Sequence, residues 1–271
     1  MPTRPTTLRL FVNHCPAALD HYDRNLPIDR SHPVRFGVGT AAHEVLYTMG
    51  TGGDVNELCR RLMRTGRGGE DAEGPLAPQD VLEGRALAEA WIASDVWALE
   101  DGTAEKVAPL PLDGAQFEVA RAFTAQWEPV PWDDPTCDRR TRIDYESAHD
   151  EHGAIVVTVR DYKSSWAHTD GQLDSLQRRF QAVAAWKSNP GAACLRLEVA
   201  NLRRRVIYRR TIWLDEEGER TLAQWAADLE LVIEAANSTD RRARPGAHCY
   251  RCPYVGRCEA ARALAAADTA T

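Results

Sequence analysis

The sequence is short of several things, and each shortage excludes a class of protein. No run approaches the roughly 20 apolar residues that a membrane-spanning helix needs. The opening residues, MPTRPTTLRLFVNHC, hold no apolar core followed by a small-residue cleavage site, so no secretory signal is expected and a cytoplasmic location follows. No internal repeat is found, and low complexity is confined to short stretches. There is no excess of positive charge: 33 Lys and Arg face 40 Asp and Glu, for a net charge of −7. That argues against a protein that coats nucleic acid by charge alone, and leaves room for a local basic groove. The seven cysteines are an odd number, and in a cytoplasmic chain they are not expected to form a disulfide framework.

What is present is a chain of 271 residues, 44% hydrophobic, long enough for one substantial core. A single domain over residues 1–271 is the expectation. Residues 35–49, which include His43, read as a helix, and residues 50–80 as a surface excursion with a short helix around Glu57–Met63. Apolar spacing predicts an amphipathic helix over 80–99. A strand-rich stretch follows, around Phe117 to Ala120, Thr141 to Tyr145 and Ile155 to Lys163, the last rich in β-branched residues. A helix over 172–187, strands over 195–200 and 205–213, and a helix over 221–236 complete the order. This order predicts an α/β fold with a mixed sheet flanked by helices, not a doubly wound nucleotide-binding fold.

The stretch from Arg140 to Ser165, RTRIDYESAHDEHGAIVVTVRDYKSS, carries chemistry. Asp150 to Gly153 supplies turn residues. A hairpin symmetric about the His152–Gly153 bond places Asp144 opposite Asp161, at a Cβ separation of about 4.5–5.5 Å. Lys163 follows Asp161 by two residues and projects from the same strand face. Two carboxylates and an ammonium then converge, which suits a divalent ion and phosphodiester hydrolysis. The lysine would position the attacking water or stabilise charge on the phosphorane. The plainer alternative is a pair of exposed charges on an edge strand. His43, early in its helix, is a further candidate ligand, although most helical histidines are structural.

The second signal is Cys249-x2-Cys252-x5-Cys258, bracketed by Pro245-Gly246 and interrupted by Pro253. Three thiolates leave one ligand missing, and Cys15, followed by Pro16 at a helix start, is the best fourth. Structural zinc and a 4Fe–4S cluster both accept four cysteines. Spacing alone favours zinc, for which His248 is another candidate ligand. Cys59, Cys137 and Cys194 are isolated and expected to be small buried hydrophobes.

Taken together these residues resemble the RecB-like branch of the PD-(D/E)XK nucleases, in particular the CRISPR-associated and recombination-type members with an iron–sulfur cluster. The family order of G-x-x-x-H, G-x-x-D, D-Y-K and Q-x-x-x-Y is matched by Gly39 to His43, Asp144, Asp161-Tyr162-Lys163 and Gln177. Cys15-Pro16 and the three C-terminal cysteines match the cluster motif, so the resemblance spans residues 15–258. Thr141 replaces the glycine of G-x-x-D, and Gln181 stands where the last tyrosine falls, beside Phe180.

The resemblance implies a restriction-endonuclease-like fold with a helical lobe stapled by iron–sulfur ligation. It implies a deoxyribonuclease, exonucleolytic on single-stranded DNA or DNA ends, serving repair, recombination or CRISPR spacer processing. His43, Asp144, Asp161 and the carbonyl of Tyr162 would hold Mg²⁺ or Mn²⁺, and Lys163 would assist the water. Gln177 would orient the lysine or touch substrate. It also moves the preference from zinc to a 4Fe–4S cluster on Cys15, Cys249, Cys252 and Cys258. A DNA-binding accessory protein without activity, or a zinc-stabilised protein of other function, are the competing readings. For DNA contacts the candidates are Arg178 and Arg179, the arginine runs 203–205, 209–210 and 241–244, and Trp166, whose ring could stack on a base.

Overall fold

A computed structural model describes residues 3–5, 8, 15–18, 37–66, 74–110, 114–166, 170–237, 242–244, 246, 249, 252, 254–256 and 258–268. Helices α1 (Gly37–Gly50), α2 (Val55–Thr65) and α3 (Pro78–Ile92) come first. Strands β1 (Val96–Glu100), β2 (Thr103–Val107), β3 (Ala115–Phe123), β4 (Pro129–Val130), β5 (Arg139–Glu151) and β6 (Ala154–Lys163) follow. A 3₁₀ turn (Asp170–Asp174) leads to α4 (Leu176–Ser188), and then β7 (Cys194–Asn201), β8 (Val206–Trp213), α5 (Glu216–Asn237) and α6 (Glu259–Asp268).

Local chemistry sets many of these ends. Asp54 caps α2 by accepting from the amides of Asn56 and Glu57, and Gly66 ends it. Pro78 occupies the first turn of α3, where a missing N–H costs nothing. Ser175 caps α4 through the amide of Arg178. The β5–β6 turn is His152–Gly153, both at positive φ (57° and 87°), the backbone of a two-residue hairpin turn that suits glycine.

The strands form one mixed sheet in the order β2-β1-β8-β7-β6-β5-β3-β4. β6 and β7 are parallel, joined across the sheet by α4, and β1 and β8 are parallel; the other neighbours are antiparallel. One face, through Val157, Val159, Leu195, Leu197 and Val199, packs on Phe180 and Val183 of α4 and Leu222, Leu229 and Ile233 of α5. The other face, through Tyr145, Tyr162, Ala200 and Ile207, packs on Val45, Leu62, Val81 and Trp91 of α1 to α3. Each large apolar side chain so buried stabilises the fold by roughly 1.5–3 kcal/mol. The mixed sheet flanked by helices is therefore the architecture the sequence predicts.

The structure departs from expectation at 80–99. The helix stops at Ile92, and residues 96–107 form the β1–β2 hairpin on one edge of the sheet. Asp101 and Gly102, at φ 46° and 80°, make its turn. The Asp-Gly pair was the available signal.

Candidate active site

The site lies where β5 and β6 part. Their ladder runs from Glu151↔Ala154 to Tyr145↔Arg160 and ends there, although β5 begins six residues earlier and β6 continues to Lys163. Continuing the register would set Asp144 opposite Asp161, the pairing expected from sequence. In place of a further rung, the Asp144 Oδ2 accepts the amide of Tyr162 at 2.9 Å. The strands thus open into a notch lined by both acids.

A second irregularity aims the side chains. Ile143 and Tyr145 have the same parity on β5, yet Ile143 belongs to the α4–α5 core and Tyr145 to the α1–α3 core. Their β3 partners, Val119 and Phe117, divide the same way. Both strands change faces at one level, at the pair Glu118 and Asp144. Glu118 has φ 51°, a left-handed conformation that costs a non-glycine residue energy and is held by its surroundings.

Glu118 and Asp144 meet His43 of α1 at this break, one ligand atom from each lying within 4.8 Å of the others. The His43 Nδ1 is 3.5 Å from the Asp144 Oδ2, and its Nε2 is 2.7 Å from the carbonyl oxygen of Tyr162. Two neighbouring ligands on an octahedral ion with bonds of about 2.1 Å are separated by roughly 3 Å, so imidazole and carbonyl already stand at a coordinating distance. The Tyr162 side chain is buried on the α1–α3 side against Trp91 and His43, which fixes the carbonyl. Glu118 was not foreseen. Its only signal in the sequence is a carboxylate inside an apolar strand.

Asp161 falls outside this three-residue group. It is 1% exposed and turned towards α4, where its Oδ1 accepts from the Gln177 Nε2 at 3.0 Å. The Lys163 Nζ pairs with its Oδ2 at 2.5 Å, so acid and lysine do share a face. Burial pushes the Asp161 carboxyl up; Lys163, Arg178 and His43 outweigh it and hold the group below the usual carboxylate range. A buried carboxylate kept charged in this way suits a cation ligand. The donor set of carboxylates, carbonyl and one imidazole fits Mg²⁺ or Mn²⁺. Gln177, expected to orient the lysine or touch substrate, donates to the carboxylate that the lysine pairs with.

The arginines at the start of α4, expected to touch DNA, are engaged within the fold. Arg178 is 1% exposed, and its guanidinium donates to the carbonyls of Val159 (2.7 Å) and Glu198 (2.8 Å) and to the Gln181 Oε1 (2.6 Å). It ties β6, β7 and α4 together beneath Asp161. Gln181, in the place of the family tyrosine, is buried and donates to the Arg142 carbonyl. Arg179 turns away, towards Asp228 and the ring of Trp225 on α5. Arg209 is held by Glu198 and Glu105, and Arg210 by Asp174. Arg241 lies outside the described residues. Trp166 is 70% exposed, three residues past Lys163, with the Arg203 guanidinium 4.9 Å from its ring centre.

All seven cysteines are unpaired. Cys15 packs with Cys252 and Tyr254 in a small cluster of its own, joining the two chain ends. The Cys252 thiol is pushed up by burial and by the neighbouring Cys15, Cys249 and Cys258, against the pull of the Tyr254 amide. The amide of Gly246 points at the Cys249 sulfur at 3.4 Å. Four converging thiols with amide donors fit a metal–thiolate centre. His248, the other zinc candidate, lies outside the described residues. Cys59 and Cys194 are buried as expected, whereas Cys137 is half-buried and accepts from the Arg140 Nε at 3.4 Å.

Comparison with known proteins follows this geometry. The crystal structure of SSO0001 is similar over 96% of this chain and 86% of that one, at 15% identity and a TM-score of 0.37. No curated protein matches. A sequence profile of the PD-(D/E)XK nuclease superfamily matches residues 5–259, nearly the whole chain and all the groups described above. Members of that superfamily are nucleases that typically use Mg²⁺ or Mn²⁺. The chain belongs to the PD-(D/E)XK nuclease superfamily.

Proposed function

We propose that this protein is a Mg²⁺- or Mn²⁺-dependent deoxyribonuclease acting on single-stranded DNA or DNA ends, with a 4Fe–4S cluster on Cys15, Cys249, Cys252 and Cys258. One observation carries the catalytic part: His43, Glu118, Asp144 and the Tyr162 carbonyl gather in the notch whose other wall bears Asp161 and Lys163. In this reading Asp144, Asp161, His43 and the Tyr162 carbonyl hold the ion, and Glu118 adds a third carboxylate. The ion, when bound, supplies Lewis-acid activation of the phosphodiester and a lowered water pKa. Lys163, held against Asp161, donates to the attacking water or to the oxygen that gains charge. Gln177 keeps Asp161 turned to its place. Trp166, exposed beside Lys163 and stacked under Arg203, offers a platform to an unpaired base, which favours a single-stranded substrate.

For the cluster, the support is that Cys15 and Cys252 pack together, that Cys249 and Cys258 lie near enough to help raise the Cys252 thiol, and that these four cysteines match the cluster motif of the family the sequence resembles.

The test is digestion of end-labelled single- and double-stranded DNA with Mn²⁺, comparing wild type with Asp161→Ala and Lys163→Ala. Each variant should lose on the order of 100-fold or more of the rate. Equal rates in all three remove the assignment. For the cluster, purified protein should be brown and absorb near ~400 nm; a colourless protein with stoichiometric zinc replaces iron–sulfur with zinc.

A further inference from the structure

A pocket opens on the β5 edge that β6 leaves uncovered. Its walls are Arg4, Trp132, Arg140, Thr141, Arg142 and Gln177, around about 120 Å³ of space. The N-terminal segment closes one side: Thr3 bridges to Arg139 in parallel, its amide donating to the Asp138 carbonyl and its carbonyl accepting from the Arg140 amide. Gln177, bonded to Asp161, forms the wall shared with the catalytic notch.

The charge of this pocket is the unusual feature. The chain carries −7 overall, yet among the described residues the lining holds three arginines and no acid. Several other arginines are paired with carboxylates: Arg139 with Glu230 and Asp138, Arg160 with Glu198, Arg196 with Glu151, Arg210 with Asp174. Arg140 pairs with no carboxylate among the described residues. Its guanidinium lies 4.9 Å from the centre of the Trp132 ring, and that of Arg142 5.5 Å, so one indole steadies both cations. Guanidiniums preset in this way match phosphate oxygens. Along β5, Arg140 and Arg142 are two residues apart, a step of roughly 6.8 Å, which is of the order of the distance between successive phosphates in an extended strand.

We infer that this pocket is a phosphodiester subsite. Arg140 and Arg142 grip backbone phosphates of the substrate strand beside the scissile one, on the stretch of β5 that leads up to the break at Asp144. The inference rests on the nuclease reading for its substrate, but its test does not need cleavage. Binding of a fluorescent single-stranded oligonucleotide is measured by anisotropy in EDTA, across a salt series, with wild-type, Arg140→Ala, Arg140→Lys and Arg140→Ala/Arg142→Ala full-length proteins.

Removing Arg140 should weaken binding about tenfold and make the slope of log K against log salt shallower by about 0.7, doubling for the pair. Arg140→Lys should keep the slope while losing part of the affinity. Thermal melting of each variant separates lost folding from lost contact: if Arg140→Ala does not fold, the lysine variant and the wild-type response to single neutral methylphosphonate linkages decide. Wild-type slopes in Arg140→Ala, or no sensitivity to any neutral linkage, overturn the subsite. A wild type that binds with these slopes but never cuts with Mn²⁺ overturns the nuclease reading and leaves the subsite standing.

Discussion

At the scale of residues, the site is built from groups whose roles follow from burial more than from identity. Arg178 acts on Asp161 and Arg140 shares a pocket with Gln177, yet one is sealed under the sheet and bound to backbone carbonyls and the other opens on that pocket. Sequence alone could not tell them apart, because charge runs carry no record of which side faces solvent. The D-x-K pair was legible, since two residues along a strand always share a face. His43 was legible through its helix. Glu118 was not, because a single carboxylate between Phe117 and Val119 looks like an outward-facing strand residue until the positive φ is seen. If Glu118 is part of the ion's surroundings, Glu118→Gln should weaken Mn²⁺ binding on the order of tenfold by calorimetry. Unchanged affinity would remove it from the site.

At the scale of elements, the β5–β6 hairpin was readable down to its register, because turn chemistry and β-branched residues agree. What could not be read is that the ladder stops at Tyr145↔Arg160 and that β3 and β5 change faces together. Parity arguments assume an unbroken pleat, and function here occupies the break. The β1–β2 hairpin was missed because Val96 and Ala98 prolong the apolar spacing of α3.

The position of His43 depends on the crossing of α1 over α3. A Cβ at Gly84 would lie 2.6 Å from the Ala41 Cβ and 2.7 Å from the Val38 carbonyl. Gly84→Ala should therefore lower the melting temperature by several degrees, equivalent to about 1–3 kcal/mol, and weaken Mn²⁺ binding by shifting α1. Wild-type values for both would show that the crossing has slack.

The hairpin's far end has a pH signature. Glu151 is held at about 2, well below its ordinary 4.5, chiefly by the hydrogen-bonded Arg196, with burial opposing. Because the folded value is depressed, its contribution to stability is complete above about pH 4.5 and fades as pH falls towards 2. Melting curves between pH 6 and 3 should fall more steeply for wild type than for Glu151→Gln. Parallel curves would remove the linkage.

At the scale of the whole molecule, the cysteine pocket joins segments from opposite ends of the sequence, Cys15 against Cys252 and Tyr254. Long-range closure of this kind restricts the unfolded chain, which is where most of its benefit arises. The spacing singled out three of these cysteines, and Cys15-Pro16 suggested the fourth. In the proposed reading, stripping a bound metal centre, or replacing Cys258 by Ser, should lower the melting temperature and speed tryptic cleavage near the N-terminus. Identical digestion patterns with and without metal would show that the pocket is no staple.

The backbone bonds of Thr3 to Asp138 and Arg140 place the first described residue of the chain beside the basic pocket. Any affinity tag fused ahead of it begins at the doorway through which a polynucleotide would thread. Such a fusion is expected to behave as a plug, so preparations handled by a tail at the other terminus give the truer turnover.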